Sequence, residues 1–184
     1  MGLPQGDTKE EPLRRIISVL HAARTPYAVI GGIAVQLHSR EPRTTLDIDL
    51  AVPKFSDIPH DALLQAGFEY EGRYEHSDNW RAPGAQPRAH RTPIQFSAED
   101  AGLADAVTHA RKVDVGGLQL HLATVADLLI LKLAAAEEPR RRPAKRRQDL
   151  VDIITLAEQN AESAALVPDL KERVSKLAAT ILTL

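Results

Sequence analysis

Tyr27 to Val52 reads YAVIGGIAVQLHSREPRTTLDIDLAV, and its punctuation decides the fold. An apolar run, Tyr27–Ile30, ends in Gly31-Gly32. A short amphipathic segment, Ile33–His38, follows. After the basic turn Arg43-Thr44-Thr45, a second apolar run carries Asp47 and Asp49 and stops at Pro53. The pattern predicts strand, glycine turn, short helix and strand. Strand side chains alternate between faces, so Asp47 and Asp49 are expected to share one face. Leu46, Ile48 and Leu50 are expected to enter the core from the other. Two carboxylates about 7 Å apart on one strand face repel unless a cation lies between them. Such an oxygen-only pair suits Mg²⁺ or Mn²⁺. A metal beside a glycine turn that offers backbone N–H groups to phosphate is the apparatus of phosphoryl and nucleotidyl transfer. Taken alone, Asp-x-Asp is equally the pattern of an edge strand with one wet face.

Composition narrows the field. The chain has 184 residues, 43% of them apolar, enough for one domain with a core. Only 4% are aromatic, so aliphatic side chains must fill that core. The absence of cysteine excludes disulfides, thiol nucleophiles and Cys-ligated zinc. The seven histidines show no zinc-ligand spacing, although His76 and His90 flank the middle of the chain. There is no Walker A loop, dinucleotide fingerprint or nucleophile elbow. No apolar run reaches membrane-spanning length and no signal peptide opens the chain, so a cytoplasmic protein without membrane contact is expected. A net charge of −2 gives no overall field for nucleic acid. Basic charge is instead local: six of the eight residues from Arg140 to Arg147 are Arg or Lys. That stretch is expected to be a loop, either a contact for RNA phosphates, tRNA included, or simply solvated. No aromatics are interleaved with it to stack bases.

Periodicity supplies the remaining elements. Pro12 to Arg24 reads as an amphipathic helix with the stripe Leu13, Ile16, Ile17 and Leu20. A helix is expected over Asp57–Ala66, one or two strands over Phe68–Trp80, and a loop over Arg81–Arg91. A strand is expected at Thr92–Ser97, a helix at Gly102–Ala110, and a hairpin turning at Gly116-Gly117. Thr124 is placed to cap a helix to about Ala136, with two more helices near Lys145–Gln159 and Pro168–Leu182. The organisation expected is α/β (α+β). A loose N-terminus, 1–11, precedes a core at 12–123, and a helical region at 124–184 packs on that core.

The wording GGIAV, then RTTLDIDL, resembles the active-site signature of the DNA polymerase beta-like nucleotidyltransferase superfamily. It is most similar to the small bacterial and archaeal branch that holds the AbiE-type toxins of type IV toxin–antitoxin systems. The resemblance implies a mixed sheet flanked by helices and metal-dependent transfer of a nucleoside monophosphate from an NTP to a hydroxyl. It implies Mg²⁺ or Mn²⁺ as cofactor and an antitoxin as partner. Asp47 and Asp49 would hold the metal. Gly31, Gly32, Arg43 and Thr44 would meet the nucleotide's phosphates, Gly32 by backbone alone where relatives often carry Ser. Lys132, in LLILKLAAA, sits among apolar helical neighbours, where it either snorkels to water or reaches the site. In this branch a lysine in such a context, followed by an Asp-rich helix, belongs to the active site, and Lys132 with Asp149 and Asp152 matches that layout. Asp149 could instead pair with Lys145 at helical spacing.

The departure is Gln95. The superfamily places a third carboxylate on a later strand, as general base or metal ligand, whereas this chain reads Pro93-Ile94-Gln95-Phe96. An amide takes no proton at neutral pH. Glu99 or Asp100 could substitute only if the chain bends back, and Asp114 belongs to the hairpin. A domain that keeps the fold as an NTP-binding or regulatory module without catalysis is the alternative that Gln95 supports.

Overall fold

The computed structural model describes residues 9–40, 45–74 and 76–181. Seven strands form one mixed sheet: β1 (Ala28–Val29), β2 (Ile48–Ala51), β3 (Glu69–Tyr74), β4 (Ser77–Arg81), β5 (Pro93–Ser97), β6 (Arg111–Val115) and β7 (Leu118–Leu122). Their order is β3-β4-β5-β2-β1-β7-β6. The centre is made by the quoted stretch. β1 pairs antiparallel with β2, and each has a parallel neighbour on its other side, β7 beside β1 and β5 beside β2. Two hairpins, β3–β4 and β6–β7, complete the edges. The β6–β7 turn uses Gly116 and Gly117, both at positive φ, and the Asp114 carboxylate accepts from Gly117 N–H at 3.0 Å. Asp114 therefore stays in the hairpin.

Eight helices are described: α1 (Glu10–Ala22), α2 (Gly31–His38), α3 (His60–Gln65), α4 (Ala101–His109), α5 (Val125–Glu137), α6 (Pro143–Gln159), α7 (Ala161–Ala164) and α8 (Leu170–Ile181). The stripe predicted for α1 is fully buried. It joins Ile48, Leu50, Ile94 and Phe96 in a core whose largest member is Trp80. Each fully buried Leu, Ile or Phe contributes roughly 1.5–3 kcal/mol of transfer free energy, so this aliphatic core offsets the shortage of aromatics. Thr124 caps α5 as expected, its hydroxyl accepting from Asp127 N–H at 3.2 Å. The helical region is tied to the core, since Asn160 donates to the His38 carbonyl at 3.3 Å and Arg40 N–H donates to Gln159 at 2.7 Å. Among the described residues no helix is long and apolar enough to cross a membrane.

Several boundaries differ from the sequence expectation. Glu10 and Glu11, expected in the loose N-terminus, open α1 and complement its dipole. α2 starts at Gly31 rather than after the glycines, because Gly31 in a left-handed conformation turns the chain straight into the helix. The 57–66 segment divides into a 3₁₀ turn (Phe55–Asp57) and α3, because Pro59 interrupts it. Arg81 belongs to β4, and the loop after it holds a second 3₁₀ turn, Arg88–His90. β2 begins only at Ile48, so Asp47 precedes the strand and Leu46, expected in the core, is 77% exposed. The basic stretch is largely helix, with Pro143 opening α6 at a position that needs no N–H donor.

Candidate active site

β1 and β2 bring the glycine turn against the second aspartate. Ile30 N–H donates to the Asp49 carbonyl at 3.0 Å, extending the pairing to the first residue before α2. Gly31 then adopts φ +63°, and a Cβ built there would fall 2.0 Å from Asp49 Oδ2. Only glycine satisfies both the backbone conformation and the approach. The Gly32 N–H donates to the Asp49 carboxylate. The two glycines thus cradle a side chain of the next strand, a role the sequence reading had given them only toward phosphate. Gly31→Ala is expected to cost at least about 2 kcal/mol, the strain of a left-handed non-glycine residue plus displacement of the carboxylate. Gly67→Ala, at φ +85° but with its Cβ 3.3 Å from Pro83, should cost less. Urea melts of both variants check the difference, and equal losses would remove the steric argument.

Asp47 stands one residue before the strand, oriented by Thr45, whose hydroxyl donates to Asp47 Oδ1 at 3.2 Å. Thr45 is itself buried. Burial first, and the like charge of Asp47 second, push the Asp49 carboxyl up from 3.8 to about 6, against the pull of Lys132, the Gly32 N–H and Lys145. A carboxylate so desolvated and repelled is stabilised by a cation placed between the pair. The donors are hard oxygens, which fits Mg²⁺ or Mn²⁺ held by two carboxylates and completed by water and phosphate. Among the described residues no three His, Cys, Asp or Glu side chains gather into a metal-holding group.

Gln95 lies directly beside Asp49 in the parallel β2–β5 register, and both line one cleft. After β5 the chain does bend back. Glu99 takes φ +63°, Asp100 caps α4 by accepting from Gly102 N–H at 2.8 Å, and both acids line the same cleft. His76 lines it too, whereas His90 is not among its walls. Arg43 and Thr44 lie outside the described residues.

The cleft measures about 1060 Å³, at the upper end of the roughly 300–1,000 Å³ of ligand clefts. Its floor is the glycine turn with Asp47, Asp49 and Gln95; Leu103, Leu128 and Leu131 of α4 and α5 form an apolar wall, and the start of α6 the facing one. Lys132 borders it from α5, 12% exposed, with its ammonium 2.9 Å from Asp149 and 2.7 Å from Asp152. Arg141 Nε donates to the second Asp149 oxygen at 2.7 Å, and Gln148 donates to the second Asp152 oxygen at 3.0 Å. The four oxygens of two buried carboxylates are therefore all engaged. Asp149 is bound by Lys132 and Arg141 rather than by Lys145, because the α5–α6 pairing sets it facing α5 instead of along its own helix.

Three cleft residues escaped the sequence reading: Arg141, Arg142 and Lys145, which had been merged into an undivided basic loop. Pro143 was the available signal, since proline opening a helix fixes which basic residues precede it and which lie on its first turn. Thr45 as the partner of Asp47 had no signal beyond its proximity.

A family model described as "Nucleotidyl transferase AbiEii toxin, Type IV TA system" matches residues 15–180. The chain is similar in structure to an antigenic nucleotidyltransferase-like protein from Paracoccidioides brasiliensis, at 21% identity, covering 93% of this chain and 89% of that one, TM-score 0.60. JHP933 from Helicobacter pylori is 19% identical over 99% of this chain and 81% of that one, TM-score 0.63. ANT(2")-Ia, solved in complex with adenylyl-2"-tobramycin, is 14% identical over 95% and 99%, TM-score 0.62. These likenesses establish the fold. No curated protein matches the chain.

Proposed function

The chain belongs to the AbiEii nucleotidyl transferase family of type IV toxin–antitoxin systems, and on that premise we propose that it moves a nucleoside monophosphate from an NTP to a hydroxyl acceptor with the help of Mg²⁺ or Mn²⁺. The observation that carries this reading is Asp49. It is pressed against the glycine turn, repelled by Asp47, and set in the floor of a cleft whose facing wall is basic. Asp47 and Asp49 would hold the divalent ion, which supplies charge neutralisation on the phosphates and a more acidic attacking hydroxyl. Gly31 and Gly32 shape the floor against which the phosphates lie. By the family resemblance, Arg43 and Thr44 would be further phosphate ligands.

The acceptor oxygen forms a bond to the α-phosphorus, and the bond from that phosphorus to the bridging oxygen breaks. Pyrophosphate leaves with the electron pair. The hydroxyl proton needs a base, and Gln95 is not one. The cleft carboxylates not assigned to the ion are Glu99 and Asp100, and one of them would receive it. Lys132, clamped by Asp149 and Asp152, has one N–H left to offer the leaving group at the cleft edge. The exposed basic residues beyond the cleft, Arg140 and Arg147, suit a polyanionic acceptor such as RNA. In the two-gene setting the family description gives, an antitoxin is the protein partner.

A second reading rests on one observation, the amide of Gln95 where its neighbour Asp49 would meet a third carboxylate. In that reading the cleft binds an NTP and forms no product. Each α-labelled NTP, incubated with Mg²⁺ or Mn²⁺ and with RNA, protein and small-molecule extracts, separates the two. Metal-dependent label in one extract is the expected result and identifies the acceptor class. Label in none, with NTP binding retained, would overturn transfer in favour of the binding module.

A further inference from the structure

The six basic residues between Arg140 and Arg147 are not equivalent. Arg141 is held by Asp149, and Arg146 Nε donates to the Ala136 carbonyl at 2.7 Å, so both fasten α6 to α5. Arg140 and Arg147 are exposed and do not line the cleft. Arg142 and Lys145 do line it, and both are exposed. Among the described residues neither of their side chains has a hydrogen-bond or ion-pair partner. Arg142 is the residue that precedes α6 and Lys145 lies on its first turn, and both border the same cleft. Asp47 and Asp49 line that cleft too, and the charge of Lys145 acts on the Asp49 carboxylate.

We propose that Arg142 and Lys145 bind the β- and γ-phosphates of the incoming nucleoside triphosphate. This rests on the nucleotidyl-transfer reading above and assigns the part of the substrate that reading left unheld. The glycine turn spends one N–H on Asp49, and two of the three Lys132 donors are taken by Asp149 and Asp152. The leaving pyrophosphate therefore needs other cations. A guanidinium grips two phosphate oxygens at once, and an ammonium follows the charge as it shifts to the leaving oxygen. With the α-phosphate over Asp47 and Asp49, the tail of the triphosphate extends toward the α6 wall. The helical region is then half of the nucleotide site rather than a support for it.

The test uses the full chain, with magnesium tripolyphosphate, the four NTPs and the matching monophosphates titrated calorimetrically. Arg142→Ala and Lys145→Ala should each weaken NTP and tripolyphosphate binding about tenfold, and the pair about a hundredfold. Monophosphate binding should stay unchanged. Lys145→Arg and Lys171→Ala, an exposed lysine of α8 away from the cleft, should bind within about twofold of wild type, separating a specific grip from general loss of charge. All these positions are exposed, so the variants should fold. Wild type binding an NTP while both alanine variants bind it as tightly would overturn this assignment alone. So would variants that lose RNA binding but keep NTP binding. A wild type that binds none of the four NTPs with Mg²⁺ would overturn the transfer reading and this assignment together.

Discussion

Asp49→Asn lowers metal-dependent transfer by on the order of a thousandfold or more, and yet the variant melts higher than wild type at pH 7.5 in a chelator. Both halves follow from the same side chain. The activity half arises because an amide is a poor ligand for a hard cation. The stability half follows from the raised carboxyl. Burial and Asp47 lift it from 3.8 to about 6 in the folded protein, so folding favours the protonated form. Below the unfolded value that preference costs nothing. As the pH rises through about 6 the folded carboxylate ionises against its surroundings, and the destabilisation is complete above that. The shift corresponds to at most about 3 kcal/mol. Without metal, wild-type melting temperature should therefore fall between pH 4 and pH 7, and Asp49→Asn should flatten the curve. Millimolar Mg²⁺ or Mn²⁺ should raise the melting temperature of wild type and leave the variant unmoved. Unchanged turnover in Asp49→Asn, or an equal response to metal, would remove Asp49 from the site.

What could be read from the sequence was whatever lies within one or two contiguous segments. The glycine turn, the second strand and its carboxylates are set by neighbours in the chain, and period-2 and glycine arguments act at that range. Leu46 shows how narrowly they act. Alternation assigned it to the core because Ile48 and Leu50 are there, but the strand starts two residues later and Thr45 turns the chain at Asp47 instead. Lys132 with Asp149 was legible as a layout only through the family resemblance, since an ammonium amid leucines can equally snorkel to water. Which partner answers it was not. Helical spacing offered Lys145 to Asp149, whereas helix–helix packing gave it Lys132 and Arg141. The place of Gln95 beside Asp49 depends on parallel pairing between strands more than forty residues apart, and the cleft positions of Arg142 and Lys145 depend on how α6 packs on α5. Pairing of distant segments is set by the whole core, and no local pattern carries it.

Lys132→Met is expected to destabilise the fold by about 3–5 kcal/mol, close to the largest loss any single substitution here should give. Asp149 and Asp152 are 3% and 2% exposed, and the Lys132 ammonium touches both. Methionine fills the stem volume, so packing is nearly conserved and the loss reports charge. Asp149 keeps Arg141 and Asp152 keeps the Gln148 amide, but both buried carboxylates lose the ammonium they shared. Adding Asp152→Asn removes one of the two carboxylates that shared the ammonium and should recover part of the loss, although Asp152→Asn alone is destabilising. Urea melts of the four proteins close that double-mutant cycle. The sign of the coupling separates two roles that activity alone would confound. If Lys132 served only as a phosphate ligand, Lys132→Met would abolish transfer, melt like wild type and show no coupling to Asp152. If it anchors α5 to α6, the coupling appears without any nucleotide. The same anchor then holds the start of α6, and with it Arg142 and Lys145, at its distance from Asp49, so phosphate binding weakens even though Lys132 leaves two of its donors on carboxylates.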